Sequence, residues 1–238
     1  MNKYGILYSV GVGPGDPQLM TLKAVETIGR CPVVASPRTR SGEMLALDIA
    51  RGASDLGGKT VLPLDFAMAH DRERRRRDHE RAADAIEAHL KAGRDVAMLN
   101  LGDVSIYASC GYVRELISQR GYESVMIPGV TSFCAVAARL DTSLTEPDEP
   151  LHIIPGGAWS TEKALELPGV KVLMKTGRSL PEVVETLAKH GCLDTSAMVA
   201  DCGLPTERVY RDLSSVPDDP GYFVTIVVKD RSADKAAD

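Results

Sequence analysis

The fold is decided by the stretch Ile6-Leu7-Tyr8-Ser9-Val10-Gly11-Val12-Gly13-Pro14-Gly15-Asp16, in which an apolar run ends in a glycine-rich turn. The run is typical of a buried strand, and glycines without a Cβ let the turn approach a ligand closely. The spacing differs from the dinucleotide-binding pattern Gly-x-Gly-x-x-Gly, because the third glycine position falls on Asp16. The lysine of a phosphate-binding P-loop is also missing. A plain structural turn and a ligand-binding loop both remain compatible with this stretch.

Strand and helix patterns alternate outward from this turn. A helix is predicted over Thr21 to Arg30, and the longest helix is predicted over Arg72 to Ala92. The residues expected to bury the longest helix are Ala82, Ala83, Ile86 and Leu90. Such alternation predicts parallel strands joined by crossover helices, so the fold class is α/β. The last strand patterns have no helix between them, which predicts antiparallel pairing near the C-terminus.

A polar stretch divides these patterns into two predicted domains. Between Asp141 and Pro150 no periodicity survives, and prolines interrupt the chain. We therefore expect an N-terminal α/β domain over residues 1–141, a linker over 142–149 and a C-terminal α/β domain over 150–230. Residues 231–238 are expected to form a flexible tail.

Composition excludes several classes of function. The chain has 238 residues and a formal net charge of −5, and it lacks a broad basic face, which argues against a nucleic-acid partner. The charge run from Arg72 to Arg81 is expected to be a solvated helix face rather than an anion site. No apolar stretch is long enough for a signal or a bilayer span, which predicts a cytoplasmic protein without membrane contact. Five scattered cysteines predict reduced thiols and no metal site.

Two further loops follow predicted strands and carry small or polar residues. Gly102-Asp103-Val104-Ser105-Ile106-Tyr107 places a carboxylate near an expected helix start, where it could cap the helix or help to form a ligand site. Pro128-Gly129-Val130-Thr131-Ser132 offers backbone N–H groups and two hydroxyls at another helix start. In open α/β sheets, loops at the carboxyl ends of neighbouring strands converge, so all three loops are candidates for one site.

These three loops together resemble those of a known family. The stretch Val10 to Ala24 resembles the N-terminal signature of the tetrapyrrole (corrin and sirohaem) methylases, and the two later loops resemble that family's second and third motifs in the right order. Within the family, Ala35-Ser36-Pro37-Arg38 and Val172-Leu173-Met174-Lys175 resemble the carbon-20 methyltransferases of precorrin-2 or cobalt-factor II. Val104 departs from the proline that many relatives carry, which changes the local backbone freedom and keeps the carboxylate.

The resemblance implies two α/β domains with S-adenosylmethionine in the cleft between them and a tetrapyrrole substrate beside it. The residues that it places against the cofactor are Pro14, Leu101, Gly102, Asp103, Ile106, Thr131, Ser132, Thr176 and Cys202. A short alignment gap would move the last two contacts to Met174 and Gly203. Arg38 and Tyr107 are the expected substrate contacts. Because the carboxylates of the substrate attract cations, Arg40 and the run Arg74 to Arg77 are weaker candidates. A homodimer is a further expectation from the family.

The implied reaction is an in-line attack by a nucleophilic ring carbon on the sulfonium methyl group. Because the leaving group is a neutral thioether, the protein mainly aligns the reactants and excludes water. None of the five histidines can be assigned as a base: His70, His79, His89, His152 and His190. Two alternatives stay open at this point. The chain could methylate another tetrapyrrole position, including the step on uroporphyrinogen, or it could be a non-catalytic nucleotide-binding module.

Overall fold

The computed structural model describes residues 4–39, 41–66, 71–217, 221 and 223–229. The backbone divides into two compact units, Met1–Thr131 and Ser132–Asp238. This division precedes the predicted linker 142–149, because the helix over Ser132–Leu140 packs against strands of the second unit. The role of 142–149 as a linker stays a prediction.

The first unit contains a parallel sheet. Its strands are β1 (Leu7–Gly11), β2 (Val33–Arg38), β3 (Thr60–Asp65), β4 (Val96–Asn100) and β5 (Ser124–Ile127). They lie in the order β3-β2-β4-β1-β5, and every pairing in this sheet is parallel, as the alternating pattern predicts. The carboxyl ends of β4, β1 and β5 are therefore neighbours. The three glycine-containing loops follow these three strands.

Helices cover both faces of the first sheet. They are α1 (Leu22–Arg30), α2 (Leu45–Ala53), α3 (Arg72–Lys91) and α4 (Cys110–Gln119). Alternate strand residues point to opposite faces, so Leu7 packs towards α3 and α4 while Tyr8 packs towards α1 and α2. The predicted stripe of α3 is confirmed, since Ala82, Ala83, Ile86 and Leu90 are all buried. Burial on both faces explains why these strands carry continuous apolar runs.

The second unit contains a mixed sheet. Helix α5 (Ser132–Leu140) comes first, followed by the strands β6 (Leu151–Pro155), β7 (Val170–Met174), β8 (Ser196–Ala200), β9 (Arg208–Tyr210) and β10 (Val224–Val228). The order is β6-β7-β10-β8-β9. The pair β6 and β7 is parallel, and the other three pairs are antiparallel. The expected antiparallel ending is confirmed.

The second unit also holds a helix that the sequence pattern does not predict. Helix α6 (Ala158–Leu165) lies between β6 and β7, and α7 (Leu180–Lys189) follows β7. Gly157 precedes α6 without a side-chain cap among the described residues, and Trp159 and Ser160 are weak helix formers. The helix buries Thr161 and Ala164. The packing of these two residues stabilises a helix whose sequence has a low helix propensity.

The described ranges contain neither a candidate membrane span nor a candidate metal cluster. No helix there is long and apolar enough to cross a membrane. Within the same ranges, no group of three or more histidine, cysteine, aspartate or glutamate side chains is placed to hold a metal ion. All five cysteines are described, and none forms a disulfide bond.

Candidate functional site

The three glycine-containing loops of the first unit meet above the carboxyl ends of β4, β1 and β5. Gly13 and Gly102 form a two-way backbone bridge, in which the Gly13 N–H donates to the Gly102 carbonyl over 3.3 Å and the Gly102 N–H donates to the Gly13 carbonyl over 2.7 Å. Gly13 has φ +78° and Gly102 has φ +70°, a region that glycine adopts without a steric cost. The predicted convergence of the loops is confirmed.

Close packing of backbone against backbone explains two other glycines. A Cβ built on Gly11 would lie 2.7 Å from both the Gly102 oxygen and the Gly129 nitrogen, and a Cβ on Gly129 would lie 2.3 Å from the Gly102 oxygen. The sequence predicts that glycines in the first turn admit a ligand. At Gly11 the structure instead shows that the missing side chain admits the two neighbouring loops.

Among the loop glycines Gly11, Gly102 and Gly129, Gly102 is the one at which an added Cβ would meet no close atom. The nearest described heavy atom to an added Cβ is the Val130 oxygen, at 3.9 Å. Asn100 shapes this loop, because its Nδ2 donates to the Leu101 oxygen over 2.8 Å and to the Asp103 oxygen over 3.0 Å. Leu101 is partly buried against the core. Asn100 therefore fixes the loop through its backbone, while the space next to the Cα of Gly102 stays open.

Asp103 ties the second loop to the third. One carboxylate oxygen accepts the Ser105 N–H over 2.8 Å and also the Ser105 hydroxyl, and the other accepts the Gly129 N–H over 2.9 Å. The helix-cap interpretation of Asp103 is wrong, because α4 begins only at Cys110. Burial raises the pKa of Asp103, but the hydrogen bonds from Ser105 and Gly129 outweigh burial and leave the pKa below its usual range. The Asp103 carboxylate is therefore ionised at neutral pH, and its role is to hold the two loops together rather than to accept a proton.

The third loop carries a buried hydroxyl group that makes no hydrogen bond to the described residues. Thr131 Oγ1 is inaccessible to solvent and has no hydrogen-bond partner within the described ranges. Ser132 is the next residue and begins α5. Thr21 Oγ1 donates to the Pro128 oxygen over 3.3 Å, and it also caps α1 by accepting the Ala24 N–H over 3.1 Å. A buried hydroxyl without a partner is costly in a protein alone and is satisfied when a ligand supplies the partner.

The remaining predicted residues of the first unit differ in exposure. Pro14 is buried in the first turn, and Asp16 caps a short 3₁₀ helix by accepting the Gln18 N–H over 2.8 Å. Ile106 is partly buried, whereas Tyr107 is 40% exposed and has φ +47°. A tyrosine in the left-handed region is uncommon, and backbone strain of this kind often marks a functional loop.

Arg38 is the last residue of β2 and does not follow the strand as predicted, and its side chain already has a partner. Its Nε and Nη2 each donate to a carboxylate oxygen of Asp65 over 2.9 Å, in a bidentate pair at the ends of β2 and β3. The hydrogen bonds from Arg38 hold the pKa of Asp65 below its usual range. Arg40 and His70 lie outside the described residues.

The two predicted contacts in the second unit are both buried. Thr176 follows β7, and its hydroxyl has no hydrogen-bond partner among the residues described. A Cβ on Gly156 would lie 2.5 Å from Thr176 Cγ2, so a glycine is required beside it. Cys202 follows β8, and burial, with the nearby Glu207 carboxylate second, raises the pKa of its thiol to about 11. Cys202 therefore stays protonated at neutral pH and can supply packing or backbone contacts.

Sequence reasoning missed Asn100 and Thr21 as parts of this arrangement. Both side chains donate hydrogen bonds to backbone carbonyls of the loops. From the sequence, a polar residue at a strand end or a helix start predicts only a local turn or a helix cap. The link from Thr21 to Pro128 spans 107 positions, so only the folded chain discloses it.

The order and spacing of these loops match a family profile over most of the chain. The profile of the tetrapyrrole (corrin/porphyrin) methylases matches residues 6–216. The chain belongs to the tetrapyrrole methylases. The loops that meet at Gly11, Gly102 and Gly129 all lie within the matched region of this methylase.

Relatives named as carbon-20 methyltransferases resemble the methylase along nearly its full length. It is 33% identical over 230 residues to the cobalt-precorrin-2 C(20)-methyltransferase of Salmonella typhimurium, and the match covers 94% of this chain and 96% of the relative. It is 30% identical over 242 residues to the precorrin-2 C(20)-methyltransferase of a Sinorhizobium species, with coverage of 95% and 97%.

Solved structures share the fold of this methylase. A cobalt precorrin-4 methyltransferase superposes with a TM-score of 0.76 at 21% identity, covering 96% of each chain. The uroporphyrin-III C-methyltransferase of Thermus thermophilus, complexed with S-adenosylhomocysteine, superposes with a TM-score of 0.67 at 20% identity and covers 94% of this chain and 92% of its own. At these identities the likeness shows the fold.

Proposed function

We propose that this tetrapyrrole methylase transfers a methyl group from S-adenosylmethionine to carbon 20 of precorrin-2 or cobalt-factor II in cobalamin biosynthesis. The observation that carries the proposal is identity of 30% and 33%, over at least 94% of this chain, to proteins named as C(20)-methyltransferases. These two relatives differ in whether the named substrate holds cobalt. Methylation of another tetrapyrrole position and a non-catalytic nucleotide-binding role are less favoured. Both of these relatives, which match along nearly their full length, are named as C(20)-methyltransferases.

The residues of the three glycine-containing loops fit the cofactor. Open space at Gly102 would accommodate a ligand, and the unpartnered Thr131 hydroxyl and the Ser132 hydroxyl would supply hydrogen bonds to its polar groups. When bound, S-adenosylmethionine supplies an activated methyl group and leaves as a neutral thioether. We propose that the residues that contact it are Pro14, Leu101, Gly102, Asp103, Ile106, Thr131, Ser132, Thr176 and Cys202.

Each proposed residue has a defined task. Asp103 keeps the second and third loops in register through Gly129, so it acts on the cofactor by positioning the loops. Gly102 leaves room, and Thr131 donates to or accepts from the ligand. Arg38 and Tyr107 are proposed to contact the tetrapyrrole. Alignment of methyl group and ring carbon in a site without water is the main contribution of the protein, because the reaction needs no protein nucleophile.

Binding and product analysis test this proposal in two steps. Isothermal titration calorimetry should show binding of S-adenosylmethionine and no binding of NADH or ATP. Incubation with S-adenosylmethionine and either precorrin-2 or cobalt-factor II, followed by mass spectrometry and NMR, should give a product methylated at carbon 20. Methylation at carbon 2 or carbon 7 would contradict the assignment. A cytoplasmic homodimer stays a prediction, which light scattering tests for the oligomeric state.

A further inference from the structure

A cavity of about 180 Å³ opens at the carboxyl ends of β2 and β3, separate from the three glycine-containing loops. A water molecule occupies about 30 Å³ in the liquid, so the space holds about six waters or one short side chain of a ligand. The residues that matter for its chemistry are three arginines, two aspartates and one aromatic ring: Arg38, Arg74, Arg81, Asp65, Asp78 and Phe66.

Helix α3 supplies three of the seven lining residues because of its period. Arg74, Asp78 and Arg81 are separated by four and three residues, which places them on one face of the helix. Arg76 does not line the cavity, and its Nε donates to Glu80 over 2.9 Å. The sequence pattern predicts a solvated helix face for this charge run and makes Arg74 to Arg77 only weak candidates for substrate contacts. In the structure, Arg74, Asp78 and Arg81 line the cavity and Arg76 does not, although Arg74 and Arg81 are themselves exposed.

Two of the three arginines are paired within the cavity. Arg38 forms its bidentate contact with Asp65, and Arg81 pairs with Asp78. Arg74 has no ion-pair or hydrogen-bond partner among the residues that the structure describes. Three guanidinium groups therefore face two carboxylates, which leaves one surplus positive charge in a space large enough for a small anionic group.

We propose that Arg74, flanked by Arg38 and Arg81, binds one carboxylate side chain of the tetrapyrrole substrate. This inference rests on the proposed function, since it names how that substrate is held. Guanidinium groups bind carboxylates through two parallel hydrogen bonds, and Phe66 offers an apolar wall to the methylene groups of an acetate or propionate side chain.

The position in the sheet suits this role. β2 pairs directly with β4, and β3 lies on the other side of β2. Neighbouring strands are about 5 Å apart, so the cavity lies about 5–10 Å from the loop that follows β4 and contains Gly102. A ring whose reacting carbon is presented near that loop would direct its peripheral carboxylates towards neighbouring strand ends.

Steady-state kinetics of Arg74→Gln test the inference. The KM for the tetrapyrrole is expected to rise about tenfold, while kcat stays within about twofold and the Kd for S-adenosylmethionine is unchanged, because a charge-assisted hydrogen bond to the substrate is lost. Arg74→Lys keeps the charge without the planar fork and should give an intermediate KM. Arg76→Gln is the matched control, since it removes an arginine of the same helix outside the cavity.

The outcomes separate this inference from the function on which it rests. An active wild-type enzyme with an unchanged KM in Arg74→Gln, or an equal rise in Arg76→Gln, would overturn the carboxylate site alone. A wild-type protein that binds S-adenosylmethionine but methylates neither precorrin-2 nor cobalt-factor II would contradict the proposed function, and the carboxylate site with it. Thermal unfolding of the three variants checks that the exposed substitutions leave the fold intact.

Discussion

Replacing Asp103 with asparagine removes the charge that joins the second and third loops. If the amide oxygen keeps the contacts with Ser105, the amide nitrogen faces the Gly129 N–H, and two donors oppose each other where a 2.9 Å hydrogen bond was. Hydrogen bonds to charged groups contribute about 1.5–3 kcal/mol. Asp103 is half-buried, so we expect a loss near the lower limit, about 1.5 kcal/mol in the free energy of unfolding.

This loss has measurable consequences for stability and for binding. In a domain of 150–250 residues, 1 kcal/mol corresponds to about 2–4 °C in Tm, so the expected decrease is about 3–6 °C. A third loop that is no longer held by Asp103 must be ordered again by the ligand. The Kd for S-adenosylmethionine should therefore rise by up to about tenfold in calorimetry.

The effect of Asp103→Asn should also depend on pH. The folded pKa of Asp103 lies below its unfolded value, so its stabilising contribution is present above about pH 4 and is lost as pH falls through the folded pKa. The difference in stability between the wild type and the variant should be complete at pH 7 and should shrink below about pH 4. Urea unfolding at several pH values measures it.

A matched control isolates the link between the loops. Asp16 accepts only a local N–H, from Gln18, and asparagine is an equally good cap, so Asp16→Asn should change stability by less than about 0.5 kcal/mol. Equal stability of the wild type and Asp103→Asn at pH 7 would refute the role of the carboxylate as a link. Reduced stability with an unchanged Kd would refute the use of this loop by the cofactor.

Three further expectations follow from the packing of glycines and thiols. Gly11→Ala should destabilise the protein by about 2–3 kcal/mol in urea unfolding, because the new Cβ would lie 2.7 Å from the backbone of two loops. Gly102→Ala should cost only about 1 kcal/mol from its φ of +70°, yet should weaken S-adenosylmethionine binding more than tenfold, because the methyl group enters the open space. In the native protein at pH 7.5, iodoacetamide should label the exposed Cys134 quickly and Cys202 slowly, since burial raises the pKa of Cys202 to about 11.

Each of these expectations has a contradicting result. Gly29→Ala in α1 is the control for the glycine pair, because no described atom lies within 4 Å of its added Cβ, and it should stabilise the helix by about 0.5–1 kcal/mol. A Gly102→Ala protein with wild-type affinity would show that the open space is not used. Mass spectrometry that finds Cys202 labelled as fast as Cys134 would contradict its burial.

Local patterns predicted most secondary structure of this chain. The apolar residues of α3 were predicted because their spacing alone fixes one helix face. Ala82, Ala83, Ile86 and Leu90 are buried as expected. The antiparallel ending was predicted because strands without an intervening helix have no crossover connection. Helix α6 was missed, since its flanking Gly156-Gly157 and its weak helix formers carry no periodic signal, and its stability comes from contacts with β6, β7 and α7.

The sequence by itself determined the family, the class of fold and the loops that matter, because glycine spacing and apolar periodicity are local properties of the chain. The tertiary structure alone decided what each loop residue does. Gly11 makes room for two loops and Gly102 faces open space, a distinction that depends on which backbone lies opposite each Cα. Asp103 was expected at a helix start, but it accepts a hydrogen bond from Gly129, 26 residues away. Loops that follow neighbouring strands lie close together at the edge of the sheet, so residues far apart in the sequence become hydrogen-bond partners.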